Sequence, residues 1–179
     1  MRVAGTHVLL TGATGDIGRR LATHLSDAGA RLTLVARSTQ PLEALAADLG
    51  AHAVPADLTD RDTLRSLIRD VEQAHGPVDV LVNNAGTETV GHLTHLSADD
   101  LEHLLALNLL APVELCRQVL PGMTARGRGH LVNISSLAGV ATFPGLATYG
   151  ATKAGLTHFT SGLRADLRGG PIGTLAVEI

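Results

Sequence analysis

The amino-acid sequence predicts an α/β fold in which a doubly wound parallel sheet lies between two layers of helices. Short apolar runs alternate along the chain with longer segments of helical period, which is the pattern of repeated strand–helix units. Several of these runs are apolar on both faces, as parallel strands are when helices cover both sides of the sheet. The crossovers in such a sheet are expected to be right-handed.

Six apolar runs are predicted to be strands. The runs VLL at residues 8–10 and VLV at residues 80–82 are the clearest, because neither leaves a polar face for solvent. The six predicted strands cover His7–Thr11, Arg31–Ala36, 51–55, 78–83, 130–135 and 173–179. The chain is therefore predicted to end at about its sixth strand.

Helices are predicted between these strands from their apolar period and their capping residues. One helix face is formed by apolar residues at positions i, i+3, i+4 and i+7, namely Leu64, Leu67, Ile68 and Val71. Ser97 followed by Asp100 is typical of a helix start, because a hydroxyl caps the first turn and the helix dipole favours an acid there. Two long helices, at 97–123 and 149–167, are expected on the same side of the sheet.

The composition is that of one compact domain, predicted to span residues 1–179. Hydrophobic residues make up 45% of the chain and charged residues only 17%, which argues against disorder. The formal net charge of -3 gives no reason to expect binding to nucleic acid or to an anionic membrane. No apolar stretch reaches the roughly 18 residues of a membrane span, and no signal peptide precedes the first strand. A cytoplasmic location is therefore expected.

A glycine-rich segment, TGATGDIG at residues 11–18, joins the first predicted strand to the helix that follows. The pyrophosphate of a dinucleotide needs close approach to the backbone, free N–H donors and the positive end of a helix dipole. Glycine allows that approach because it has no Cβ. A tight turn is the alternative for three glycines alone, but their position between a strand and a helix favours a dinucleotide site. The residues predicted to contact the cofactor here are Gly12, Thr14, Gly15, Asp16, Ile17 and Gly18.

The end of the second predicted strand indicates which dinucleotide is bound. NAD-binding sheets of this kind carry an acid about 20 residues after the loop, and that acid binds the ribose 2′-hydroxyl. Here the strand is followed by Arg37, and the next acid along the chain is Glu43. Arg37 can pair with a 2′-phosphate, whereas a solvated arginine at a strand end is the alternative interpretation. NADP(H) is therefore predicted to be preferred over NAD(H).

The only tyrosine and the only lysine of the chain lie four residues apart, as Tyr149 and Lys153. On a helix this spacing puts both side chains on the same face. A tyrosine hydroxyl has a pKa of about 10, and a neighbouring ammonium lowers that pKa by stabilising the phenolate. The pair is suited to exchange a proton with an alcohol or a carbonyl, although a surface Tyr–Lys pair is the alternative. Ser136, after the fifth predicted strand, is a candidate donor to the substrate oxygen.

Together with further marks along the whole chain, these features resemble the short-chain dehydrogenase/reductase family. The further marks are ADLTD at 56–60, NNAG at 83–86, LN at 107–108 and NISS at 133–136. The resemblance implies a Rossmann fold and an NADP(H)-dependent oxidoreductase that interconverts a small ketone or aldehyde and an alcohol. It also implies that Tyr149 is the general acid/base, that Lys153 lowers its pKa and holds the nicotinamide ribose, and that Ser136 orients the substrate.

The same resemblance assigns roles to residues outside the Tyr–Lys pair. Asn108 would hold a water that links Lys153 to solvent as a proton relay. Asp57 would contact the adenine, and residues 84–86 would flank the cofactor's ribose. The cofactor contacts implied in this way are Asp57, Leu58, Asn84, Ala85 and Gly86, next to Tyr149 and Lys153. Considered alone, Asp57 could equally cap a helix and residues 84–86 could form a turn.

A homodimer or homotetramer is expected, because in the family the two long helices pack against their symmetry mates. Leu109, Leu115 and Leu163 belong to these helices and are hard to accommodate fully on an exposed face. No metal is expected, because the histidines, among them His92 and His95, match no metal-ligand spacing.

Two departures from the family leave other functions open. The common form of the family has glycine where Asp16 stands, and the loop found here is more like that of longer members, many of which act on nucleotide sugars. The NNAG stretch and the interval from Ser136 to Tyr149 both match the common form, so the common short form is expected. A nucleotide-sugar epimerase or dehydratase is therefore a less favoured alternative. Members also usually continue past the sixth strand with a Pro-Gly loop, a substrate lid and a seventh strand. A C-terminally truncated form is therefore expected, and a catalytically incompetent NAD(P)-binding fragment is the second alternative.

Overall fold

The computed structural model describes residues 3–179, which form a six-stranded sheet with helices on both faces. The strands are β1 (His7–Thr11), β2 (Arg31–Ala36), β3 (His52–Pro55), β4 (Val80–Asn83), β5 (Gly129–Ser135) and β6 (Ile172–Glu178). Neighbouring strands are parallel throughout, in the order β3-β2-β1-β4-β5-β6. The predicted doubly wound parallel fold is confirmed, and each strand begins and ends within two residues of its predicted bounds.

Within residues 3–179, six α-helices connect the strands. They are α1 (Asp16–Asp27), α2 (Thr39–Leu49), α3 (Arg61–His75), α4 (Ala98–Leu105), α5 (Ala111–Arg126) and α6 (Ala147–Asp166). The cap predicted at the start of α4 is present. The Ser97 Oγ accepts a hydrogen bond of 3.1 Å from the N–H of Asp100, and the Asp100 carboxylate accepts one of 3.0 Å from the N–H of Ser97.

The first of the two long predicted helices is interrupted by a π-helical turn, Ala106–Leu110, which joins α4 to α5. Pro112 explains the interruption, because it has no N–H to donate to the carbonyl of Asn108 four residues earlier. The N–H of Ala111 bonds instead to the carbonyl of Ala106, five residues earlier. Single π-helical turns inside helices are frequent at functional sites, and this one contains Asn108.

Apolar side chains fill both faces of the sheet. One core lies between the sheet and α3, α5 and α6, and the other lies between the sheet and α1 and α2. The predicted apolar face of α3 is buried in the first core, because none of its four residues is more than 4% exposed. Burial of large apolar side chains at about 25 cal/mol per Å² is the main stabilising contribution of this packing.

The burial of α5 corrects one expectation from the sequence. Leu115 is fully buried in the core of the chain itself, so it needs no second subunit to cover it, and Leu163 is partly buried against the same core. Among the described residues, Ala98–Arg126 is long and apolar enough, by length and composition only, to cross a membrane. Its side chains Val119 and Met123 lie in the same core, as in the core helix of a globular domain.

His7 is buried at the start of β1 in its neutral form. Its Nδ1 lies 3.0 Å from the carbonyl oxygens of both Gly76 and Pro77, which can only accept, so Nδ1 carries the hydrogen. Its Nε2 lies 2.8 Å from Oγ1 of Thr33, whose hydroxyl can donate to it. Burial lowers the pKa of His7 below its usual range, and the charge of Arg31 adds to this effect.

Replacing His7 by glutamine is expected to make folding less sensitive to acid. A histidine whose pKa is lowered by folding stabilises the native state fully above its unfolded pKa of about 6.5, and this contribution is lost as the pH falls below that value. The free energy of unfolding in urea, measured from about pH 7.5 to about pH 5, should therefore fall less steeply for His7→Gln than for the wild type. Burial also lowers the pKa of His75. This second histidine should therefore preserve part of the dependence of the unfolding free energy on pH in His7→Gln.

The matched control for this measurement is His158→Gln. It removes an exposed histidine on α6, so it should keep the wild-type slope. Equal slopes for the wild type and both variants would contradict the assignment of the acid sensitivity to His7.

Candidate active site

The candidate site lies at the carboxyl ends of the strands, between β1 and β4, where the direction of the strand order reverses. Open parallel sheets bind ligands in the crevice at this point. A cavity of about 360 Å³ lies there. The predicted cofactor residues that line it are Gly12, Thr14, Gly15, Asp16, Ile17, Gly18, Arg37, Leu58, Asn84, Ala85 and Gly86. It is also lined by residues that the sequence reasoning missed, namely Val35, Ala36, Ser38, Ala56 and Leu107.

The glycine loop contains close contacts that require glycine. Gly12 has a positive φ of 67°, and a Cβ on it would stand 2.7 Å from the Cα of Ala85. A Cβ on Gly18 would collide with the carbonyl oxygen of Gly12. The residue before α1, Gly15, makes no side-chain bond to the first turn, so the N–H groups there remain available to an anion. The loop therefore fits a pyrophosphate.

Thr11 links the glycine loop to the neighbouring strand end, and the sequence reasoning missed this role. Its Oγ1 accepts hydrogen bonds from the backbone N–H groups of Asn84 and Ala85, each 3.0 Å long. The Asn84 Nδ2 donates in return to the carbonyl oxygens of Thr11, at 3.0 Å, and Gly12, at 3.1 Å. A hydroxyl at the end of a strand whose three central residues are apolar was the signal that could have identified it. These bonds hold the two sides of the crevice at a fixed separation.

Arg37 and Asp57, both predicted at the adenosine end of the cofactor, differ in their position relative to the cavity. Arg37 is exposed after β2 and lines the cavity together with Ser38. Asp57 is not among the lining residues, and the Oδ1 of its carboxylate accepts hydrogen bonds from the backbone N–H of Thr59, at 2.9 Å, and from the Thr59 hydroxyl, at 2.8 Å. The Thr59 N–H and, more weakly, the charge of Arg37 hold the pKa of Asp57 below its usual range. The adenine contact of Asp57 therefore stays a prediction.

Tyr149 and Lys153 lie side by side on α6, as their spacing predicts. The Lys153 Nζ is 5.8 Å from the centroid of the Tyr149 ring. Lys153 is only 5% exposed, and its Nζ donates a hydrogen bond of 2.9 Å to the carbonyl oxygen of Ile134 in β5. Burial lowers the pKa of Lys153 to about 8. Neither Tyr149 nor Lys153 is among the residues that line the cavity, but Nζ lies close to Gly86, which does line it, since a Cβ there would stand 3.5 Å from Nζ.

Ser136 follows β5 and caps a short 3-10 turn, Leu137–Gly139, by accepting a backbone N–H hydrogen bond of 3.2 Å at its Oγ. This turn packs closely on α6, since a Cβ on Gly139 would stand 2.8 Å from the carbonyl carbon of Lys153. The close packing brings Ser136 to the helix that carries Tyr149.

Asn108 is buried in the π-helical turn and bridges two other segments through its carboxamide. Its Oδ1 accepts a hydrogen bond of 2.9 Å from the N–H of Thr87, and its Nδ2 donates one of 2.8 Å to the Thr87 carbonyl. The same Nδ2 donates to Oγ1 of Thr152 at 3.2 Å. Both Nδ2 hydrogens are therefore in use, while Oδ1 keeps one lone pair. The water relay that the resemblance implies stays a prediction.

The histidines and the single cysteine form no further reactive site in the described part of the chain. In the described part of the chain, no group of three or more His, Cys, Asp or Glu side chains is arranged to hold a metal ion. The rings of His92 and His95 meet edge-on, with centroids 6.1 Å apart. Cys116 is free and buried, and burial raises the pKa of its thiol to about 12, so it remains an unreactive thiol near neutral pH.

Comparison with known proteins agrees with this geometry. A family model described as short chain dehydrogenase matches residues 6–178. The chain belongs to the short-chain dehydrogenase/reductase family. Ketoacyl reductase HetN from Nostoc sp. is 38% identical over 172 residues, an alignment that covers 93% of this chain and 60% of HetN.

Solved structures of other short-chain dehydrogenases have the same fold. One from Streptomyces avermitilis aligns with a TM-score of 0.93 and 37% identity, over 98% of this chain and 65% of that one. A metagenomic short-chain oxidoreductase, solved in complex with NADP, aligns with a TM-score of 0.92 and 35% identity, over 100% of this chain and 85% of that one. This short-chain dehydrogenase/reductase thus spans less than two thirds of HetN and of the Streptomyces protein.

Proposed function

We propose that this short-chain dehydrogenase/reductase interconverts a ketone or aldehyde and an alcohol with NADP(H), and that Tyr149 is its general acid/base. The observation that carries the proposal is the pairing of the only tyrosine with the only lysine beside a cavity that fits a dinucleotide. The buried ammonium of Lys153 can stabilise the phenolate of Tyr149 as the hydroxyl gives its proton to the substrate oxygen. NADP(H), when bound, supplies or accepts the hydride.

The hydrogen-bond inventory supports the roles of the neighbouring side chains. The Ser136 Oγ accepts a bond from the backbone, so its own hydrogen is left to donate to the substrate oxygen. The Lys153 ammonium has three hydrogens and donates one to the Ile134 carbonyl, which leaves others for the nicotinamide ribose. The free lone pair on the Asn108 Oδ1 can receive a water that relays protons from Lys153.

The charges around the cavity support a preference for NADP(H) over NAD(H). Arg37 and Ser38 place hydrogen-bond donors at the end of β2, where a 2′-phosphate would be bound. Asp16, in the glycine loop, is the one acid among the lining residues, so none follows β2 to bind a 2′-hydroxyl. A similar oxidoreductase was solved with NADP, which agrees with this preference.

We also propose that the chain forms a homodimer or homotetramer through α4, α5 and α6, since members of the family usually oligomerise. Leu105 and Leu110 flank the π-helical turn and are 51% and 49% exposed, so this face still offers apolar surface to a second copy. Leu109 contributes less of this surface, because it is half-buried and packs against Gly155 of α6. Light scattering at micromolar concentration should give a mass above that of one chain, and a strictly monomeric mass would contradict the proposal.

The function is tested by following NADPH consumption with a panel of small ketones and aldehydes, and by titrating NADPH against the protein alone. We expect turnover of at least one carbonyl and tight binding of the cofactor. Tight binding without turnover of any carbonyl would contradict the oxidoreductase and favour a cofactor-binding protein. Turnover of a nucleotide sugar without net oxidation or reduction would favour an epimerase or dehydratase instead.

A further inference from the structure

The buried face of α6 is polar, whereas that of α3 is apolar. The buried residues of α6 are Thr152, Lys153, Leu156 and Thr160. Each of the two threonines meets the amide of an asparagine from another element. Thr152 Oγ1 accepts from the Nδ2 of Asn108 at 3.2 Å, and Thr160 Oγ1 accepts from the Nδ2 of Asn133 at 2.8 Å. Directional bonds, rather than apolar packing alone, therefore set the rotation of α6 on the sheet.

The donors and acceptors fix the orientation of the Asn108 carboxamide. The Thr152 hydroxyl has one hydrogen, which it donates to the Tyr149 carbonyl at 2.7 Å, so from Asn108 it can only accept. The Nδ2 therefore faces Thr152, an orientation that the two bonds to Thr87 also require. The Oδ1 and the Lys153 Nζ both lie close to Gly86, because a Cβ on this glycine would stand 3.2 Å from Oδ1 and 3.5 Å from Nζ.

Asn108 in this way connects the π-helical turn to the segment at Thr87 and to α6, which are far apart in the chain. The connection to α6 is made by the Thr152 hydroxyl, which is 1% exposed. Removing that hydroxyl would leave a buried Nδ2 hydrogen without an acceptor, and a buried donor left unpaired is costly. The carboxamide or the helix would then have to shift, and α6 carries both Tyr149 and Lys153.

We propose that Thr152 is a positioning residue, which holds the carboxamide oxygen of Asn108 toward Lys153 and aligns α6 with the rest of the site. Thr152 acts through Asn108 and is not assigned a contact with substrate or cofactor. Its effect on turnover rests on the proposed function, but its effect on the surroundings of the lysine does not.

The composition of the chain offers a direct readout of this role, because Lys153 is its only lysine. Protein isotopically labelled at lysine Cε gives one side-chain resonance, whose chemical shift follows the protonation of that ammonium. The proteins to compare are the wild type, Thr152→Val, Thr152→Ser and Thr160→Val. Thr160→Val is the matched control, because its hydroxyl is also buried on α6, donates to a helix carbonyl and accepts from an asparagine amide.

We expect Thr152→Val to lower the pKa of Lys153 below that of the wild type, because the carboxamide that Thr152 holds could then turn its oxygen away from the ammonium. We also expect kcat to fall about ten-fold while the KM for NADPH stays within about two-fold. Thr152→Ser, which keeps the hydroxyl, should restore both values. Thr160→Val should lower stability in urea but leave the lysine titration and kcat as in the wild type.

The proposal is overturned if Thr152→Val and Thr160→Val have the same lysine titration, or if Thr152→Ser does not restore it. An equal loss of NADPH affinity and of kcat in Thr152→Val would also overturn it, because that is the signature of general disruption. A wild type that turns over no carbonyl would refute the proposed function, while the lysine titration would still decide the role of Thr152. Thr152→Ala supplies the same comparison should Thr152→Val not fold.

Discussion

Tyr149→Phe is expected to lower kcat by about 10²–10⁴-fold, the range that a positioned general acid or base contributes. The substitution removes one oxygen and keeps the ring, which lies 5.8 Å from the Lys153 Nζ. The proton that the substrate oxygen exchanges then has no phenol to come from, and a serine hydroxyl such as that of Ser136 is far too weak an acid to replace it. NADPH affinity should stay within a few-fold, because the lysine, the glycine loop and Arg37 are unchanged.

The measurement combines steady-state NADPH consumption, with a carbonyl that the wild type turns over, and calorimetric titration of NADPH. Lys153→Ala is the informative comparison. It should lower both kcat and NADPH affinity, because one ammonium serves the phenolate and the ribose. Retention of more than about a tenth of wild-type kcat by Tyr149→Phe would show that another group is the general acid/base.

Arg37→Asp is expected to reverse the cofactor preference from NADPH to NADH. A charge-assisted hydrogen bond from Arg37 to the 2′-phosphate contributes about 1.5–3 kcal/mol, roughly a ten- to hundred-fold preference for NADPH. Aspartate acts on both cofactors, because it repels the 2′-phosphate and can accept a hydrogen bond from the 2′-hydroxyl of NADH. The ratio of the two dissociation constants should therefore change by about 10²–10⁴-fold, more than either effect alone.

Titration of both cofactors against the wild type and Arg37→Asp measures this ratio directly. Arg168→Asp is the control for net charge, because it makes the same change in the exposed segment before β6, at the opposite edge of the sheet. It should leave the ratio as in the wild type. The wild-type preference should also weaken as salt is added, because Arg37 is exposed. Equal wild-type affinities for NADPH and NADH would refute the preference and leave the fold unaffected.

The strands were predictable because a buried parallel strand is recognisable from its own residues. The run VLL at 8–10 is apolar on both faces, and it lies in the centre of the sheet between two helical layers. The interruption of the long helix at Ala106–Leu110 was missed, although Pro112 marks it in the sequence. Proline is tolerated in the first turn of a helix but disrupts the hydrogen bonds of a helix interior. Whether Pro112 interrupts a helix therefore depends on where that helix begins.

Some features of the candidate site depend on residues close together in the sequence, and others depend on contacts that the sequence does not show. The glycine loop and the Tyr149–Lys153 pair each lie within a few residues, so spacing alone indicated how their backbone and side chains would be directed. Asp57 was predicted to contact the adenine, which stays a prediction, and the Oδ1 of its carboxylate accepts two hydrogen bonds from Thr59, two residues away. A short polar side chain can satisfy its acceptors locally, and the sequence does not show which partner it takes.

The sequence by itself determined the fold class and the strand positions and indicated the candidate site residues, because each depends on periodicity or spacing over a short stretch of chain. Only the tertiary structure decided how those residues are held. Thr11 meets Asn84 across 73 positions of sequence, and Asn108 meets Thr152 across 44. A hydrogen bond exists only where a donor and an acceptor come within about 3 Å in suitable geometry. No pattern along the chain encodes that distance for residues so far apart, so the packing of the sheet and helices decides it.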